Sequence, residues 1–109
     1  MKVESEMLIK FDMGVGHGGV ARNVMVFLTA PQGFEFPDAM VGLPPMGEKF
    51  ENYVSAQIEL GDIPKGLYCS REIKLKAPPQ PKSYKACFIY LCDTVDKQYL
   101  EFEIVVEPD

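Results

Sequence analysis

The chain has 109 residues, 47% hydrophobic and 25% charged, with a formal net charge of -5. That length supports one domain, 1-109, around one modest core, and the composition is too apolar for disorder. The acidic balance argues against nucleic acid as a partner, and no apolar run approaches the roughly 18 residues of a membrane-spanning helix, so no membrane insertion is expected.

Alternation begins at once. Val3, Met7, Ile9 and Phe11 share one parity while Lys2, Glu4, Glu6 and Lys10 share the other, which predicts a half-buried strand. The run from Met13 to Gly19 is too glycine-dense for a regular element and reads as a turn or bulge. A second strand covers Ala21 to Thr29. Val24, Val26 and Leu28 take one face, and Met25 and Phe27 make the other too apolar for solvent, so the strand is expected to be central. Pro31 and Gly33 then signal a turn, with a short extended piece at Phe34–Pro37 and an irregular connection over Asp38–Gly47.

Val54, Ala56, Ile58 and Leu60 alternate with Ser55, Gln57 and Glu59 in a further strand, and Gly61–Gly66 reads as a turn. Leu67–Ala77 resumes extended structure, although Arg71 falls on the apolar parity and suggests a bulge or a later strand start. Pro78–Pro81 is a stiff linker. Tyr84–Cys92 is apolar on both parities and rich in aromatic and β-branched residues, the pattern of a strand buried on both sides. A hairpin turn over Asp93–Lys97 leads to a last strand, with Leu100, Phe102, Ile104 and Val106 inward and Glu101, Glu103 and Glu107 outward. Nothing shows a helical period over three turns. The expectation is all-β, an antiparallel β-sandwich of six or seven strands in two sheets, with a closed barrel as the alternative.

Three passages together resemble a known type of module. They are Gly18–Leu28, Ile58–Gly66, and Ser83–Asp93 with Phe102–Val106. The pieces that carry the resemblance are Ala21, Asn23, Val24 and Val26 on an early strand, Leu60, Pro64 and Gly66 at a turn, and Tyr84 and Ala86 on the penultimate strand. Together they are similar to the CARDB/NEW3 group of immunoglobulin-like domains, also met in archaeal and bacterial surface-layer-related proteins. The chain departs from that group in the spacing of the Asp62–Gly66 turn and in the long, proline-rich Asp38–Gly47 loop. The resemblance implies a structural or adhesive module and carries over no catalytic residue.

Chemistry is sparsely signalled. His17 is the sole histidine and lies in the glycine run, with no strained nucleophile turn around any serine. The Gly14–Gly19 run leads into a strand, whereas a phosphate loop leads into a helix. Cys69, Cys87 and Cys92 with His17 lack the paired spacing of a zinc site, and Cys87 and Cys92 stand on opposite faces of one strand about 16 Å apart. Three thiols are expected, with a bridge from Cys69 to Cys87 or Cys92 as the alternative. Asp93, Thr94 and Asp96 are the best calcium ligands on offer, and otherwise cap a turn. Glu101 and Glu103 project in parallel about 7 Å apart and read as a solvated face. The lysines at 74, 76, 82 and 85 read as charges that guard a sheet edge. No cofactor and no catalysis are expected.

The leading expectation is therefore a non-catalytic structural or protein-interaction module. Its partner would be a protein, including a second copy, held by an edge strand or by the loop bearing Phe34, Phe36, Met40, Val41, Leu43 and Met46. That loop either folds back over the core, the favoured choice, or binds the partner. A carbohydrate- or small-ligand-binding sandwich is the alternative and needs Tyr53, Tyr68, Tyr90 and Tyr99 gathered on one platform; a small enzyme is a third reading without a nameable nucleophile. Odd cysteine count and the lack of a signal-peptide core near Met1 suggest a cytoplasmic setting, or an extracellular one for a domain cut from a surface protein.

Overall fold

The computed structural model describes residues 1–14, 20–42, 51–64, 67–93 and 95–108, and for 40–42 and 95–97 the backbone only. The strands are β1 (Glu6–Gly14), β2 (Ala21–Pro31), β3 (Met40–Gly42), β4 (Tyr53–Ile63), β5 (Tyr68–Lys76), β6 (Lys82–Cys92) and β7 (Val95–Val106). They form two antiparallel sheets, β1-β5 and β3-β4-β2-β6-β7. The β1-β5 pair faces a β4-β2-β6-β7 sheet as strands B and E face C′, C, F and G of an immunoglobulin sandwich, with no counterpart of A or D among the described residues. The protein is a β-sandwich.

Alternation explains the core. Leu28, Ala30, Ala56, Tyr84, Ala86, Ile104 and Val106 from the larger sheet meet Ile73, Leu75 and Ala77 from the β5 side, and a second cluster of Val24, Val26, Leu60 and Ile63 fills one end. The two layers are linked by Phe88, whose ring lies 5.3 Å from Phe11 of β1 and 5.3 Å from Phe102 of β7. As expected, β2 is central and β6 is buried on both faces: Cys87 and Ile89 point away from the main core yet are fully buried, with Phe27 and Tyr53 packed against them. On that same face Thr29 and Ser55 stand directly opposite each other, both buried, with their hydroxyls 2.7 Å apart. Ser55→Ala removes the partner of a buried hydroxyl and is expected to cost about 1–3 kcal/mol, whereas Thr29→Val combined with Ser55→Ala is expected to be nearly neutral. Urea unfolding of the two variants beside the natural chain measures the difference.

The structure departs from the sequence reading where single residues override the alternation. The first strand starts at Glu6, because Glu4 takes a left-handed φ of 54°. Val3 instead pairs with the far sheet, its N–H donating to the Glu107 carbonyl at 3.0 Å. Met13 and Gly14 continue β1, and β2 runs on through Pro31. Asn23, at φ 53°, makes a bulge in β2 that the sequence reading passed over; asparagine tolerates this conformation better than its β-branched neighbours. Its N–H is held by Asp62 Oδ1 at 3.0 Å, and its Nδ2 donates to Asp93 Oδ2 at 2.7 Å. β4 continues through Gly61 (φ 71°) to the fully buried Ile63. Arg71 causes no bulge: it stays in register with Phe11 and remains exposed, its guanidinium reaching the Ser70 carbonyl at 2.9 Å. The last hairpin is tighter than expected, with Cys92 already paired to Val95.

Candidate functional site: an open strand edge

β1 is bonded to β5 on one side, and on its other side no strand or bridge lies along it among the described residues. An unpaired edge presents alternate N–H and C=O groups to any extended chain that approaches. Two other edges are closed over part of their length. Glu35 pairs with β5 at Lys76, exchanging hydrogen bonds of 2.8 and 3.1 Å, and Asp38 and Glu35 reach the amines of Lys74 and Lys76 at 3.4 and 3.7 Å. The end of β7 is held by the N-terminal residues, with Glu107 N–H donating to the Met1 carbonyl at 2.7 Å, while Glu101 and Glu103 place like charges on its exposed face.

Parity decides what the β1 edge offers. Ile9, Phe11 and Met13 turn toward the core. Glu6, Leu8, Lys10 and Asp12 turn to solvent, directly opposite Lys76, Lys74, Glu72 and Ser70 of β5. Lys10 Nζ lies 3.3 Å from Glu72, and Ser70 Oγ donates to Asp12. Exposed pairs of this kind contribute about 0–1 kcal/mol each and leave the charges available to a newcomer. Leu8 sits in the middle of this charged face, 56% exposed, beside Met7 at 39%. Sequence reasoning missed Leu8, although its signal was visible: it is the apolar residue on the polar parity of the first strand.

The loop residues expected to bind fare differently. Phe34 and Phe36 are each only 4% exposed and belong to the main core, Phe34 packing edge-on against Tyr84 at 5.0 Å. For these two the chain folds back over the core, the favoured of the two choices: their rings close one flank of the sandwich and offer no contact surface. Met40 and Val41 lie in β3, and Leu43 and Met46 fall outside the described residues.

The four tyrosines are not brought together. Tyr53 lies on β4, Tyr68 on β5 over Gly14, Tyr90 on β6 with its hydroxyl on Gln98, and Tyr99 on the outer face of β7. A groove of about 610 Å³ does open between Pro31, Tyr53, Pro79 and Tyr84, with Lys82 and Lys85 at its rim. Tyr84 is spoken for there, buried, with its hydroxyl on the Gln80 carbonyl at 2.8 Å and Lys82 Nζ 5.0 Å above its ring. It is therefore no free platform for a sugar.

His17 and Thr94 fall outside the described residues, and Asp93 holds Asn23. Among the described residues no three His, Cys, Asp or Glu side chains converge on a point, and the three cysteines are thiols. Among the described residues no helix is long and apolar enough to cross a membrane. Models of known protein families give no match to this chain, and neither do curated proteins.

Proposed function

We propose that this protein is a non-catalytic interaction module that holds an extended polypeptide against the open edge of β1. The observation that carries this reading is the length of β1 left without a second neighbour among the described residues, with Met7 and Leu8 exposed beside charges on a two-stranded layer. Two-stranded layers are marginal on their own, so an added strand stabilises the host as well as binding to it. Main-chain hydrogen bonds supply affinity in such strand addition, and alternate side chains supply selectivity. A kinship with the CARDB/NEW3 modules rests on the sequence motifs and is in keeping with a structural or adhesive role.

Hydrogen exchange along β1 tests the reading. Short extended peptides alternating Val or Thr with Lys or Glu, offered at up to about 1 mM, are expected to slow exchange of alternate β1 amides while leaving β6 unchanged. If neither such peptides nor a higher concentration of the chain itself slows exchange in β1, the reading is wrong.

A further inference from the structure

We infer that the strand accepted by the β1 edge is β1 of a second copy, paired antiparallel in a register centred on Leu8. The inference rests on β1 being a strand-accepting edge and adds what occupies it. In an antiparallel pair related by a two-fold axis, residue numbers facing each other have a constant sum. Side-chain parity then requires that sum to be even, so that core-facing residues meet core-facing residues. Few registers satisfy this, and their side-chain pairings differ sharply.

Centring on Leu8 sets Glu6 against Lys10 of the second copy and Lys10 against its Glu6. Leu8 meets Leu8, and on the core side Met7 meets Ile9. Every charge on the solvent face within Glu6–Lys10 finds its opposite, and both exposed apolar residues of β1 are covered. Moving the centre to Ile9 sets Glu6 against Asp12 and Leu8 against Lys10. Moving it to Lys10 sets lysine against lysine. Directly opposed like charges are destabilising and opposite charges favourable, which rules against those two registers. Centring on Phe11 also sets Lys10 against Asp12, but it leaves Leu8 facing Gly14 and Glu6 outside the paired stretch, so the Leu8 register is the one that covers Leu8 and matches both Glu6 and Lys10.

The pattern extends past the two edge strands. Within one copy Glu6 stands opposite Lys76, which pairs with Glu35, and Lys10 stands opposite Glu72. Joining two copies on Leu8 therefore creates one row across the sheet that reads Glu35, Lys76, Glu6, then Lys10 and Glu72 of the second copy, alternating in sign throughout. The two-stranded layer becomes a four-stranded one. The left-handed Glu4 ends the ladder where it would otherwise set Glu4 against Asp12, which confines pairing to the complementary stretch. On the free length of β7, centring on Glu101 opposes two glutamates.

Charge exchange tests the register. Glu6→Lys and Lys10→Glu each leave like charges facing across the interface, so each variant is expected to dissociate at least about tenfold more readily than the natural chain in sedimentation or light scattering. Mixed together, the two variants place lysines against glutamates at both pairs, and a one-to-one heterodimer is expected. Circular dichroism confirms that both variants fold, since Glu6 and Lys10 are exposed. A natural chain that stays monomeric at about 1 mM overturns the inference, and peptide-induced protection of β1 in that same chain would leave the broader reading standing. A dimer indifferent to both substitutions also overturns it, because the contact would then lie elsewhere.

Discussion

Leu28→Ala is expected to cost about 3–5 kcal/mol, the upper part of the range for burying and then deleting a leucine side chain. Leu28 is fully buried at the centre of β2, the strand flanked on both sides, opposite Ala56 of β4 and Phe88 of β6. Ala30, Ala56 and Ala86 line the same core and have no further atoms to swing into the space. β2 is also hydrogen-bonded to β4 and β6, so its backbone cannot shift inward to close the gap. Native domains retain only about 5–15 kcal/mol in total, so the variant should lose roughly a fifth or more of its stability. A fall in melting temperature of roughly 15–30 °C follows for a domain of this size. Leu28→Met keeps the volume and should cost below about 1.5 kcal/mol. If Leu28→Ala melts within a few degrees of the natural chain, the central placement of β2 is wrong.

The main β-strands were legible because each buries one face or both, and period-two alternation follows directly from burial. β6 shows this well: Tyr84 and Ala86 fill the main core while Cys87 and Ile89 are buried on the opposite face, which is why neither parity of that stretch is polar. The departures come from backbone conformation and pairing, neither of which alternation encodes. Glu4 and Asn23 adopt left-handed φ angles inside otherwise extended segments, and a single such residue redirects the chain or adds a bulge. Phe34 and Phe36 could be read either as a lid on the core or as a binding surface, with the lid favoured, and a pairing at Lys76, distant in sequence, is what draws them over the core. The same non-local pairing hid the candidate site. Which strand ends up with a bare edge depends on the order β3-β4-β2-β6-β7 and on β1 having β5 as its one neighbour among the described residues, and no local pattern states that order.

Phe88→Ala is the second large effect expected, about 3 kcal/mol, at the low end for phenylalanine because the ring is only partly buried. Its consequence should be uneven across the molecule. Phe88 stacks on Phe102 within its own sheet, the rings 26° from parallel, and meets Phe11 of the opposite layer at 49°. Contacts between rings at these spacings add about 0.5–1.5 kcal/mol beyond the buried area. Removing Phe88 leaves β6 held by β2 and β7 on either side, but takes from the β1-β5 pair its aromatic anchor on the larger sheet. Hydrogen exchange should therefore accelerate in β1 and β5 at denaturant concentrations where β2 and β6 remain protected. Phe11→Ala should produce the same pattern, and the double variant should cost less than the sum of the two singles, because each single already breaks their mutual contact. Equal acceleration in all strands would mean instead that the two layers open as one unit, and the thin layer would not be the separable part of the fold. Because β1 carries the proposed strand-accepting edge, a loosened layer should also weaken association at that edge while leaving Glu6, Leu8 and Lys10 unchanged, which separates the support of the edge from its recognition chemistry.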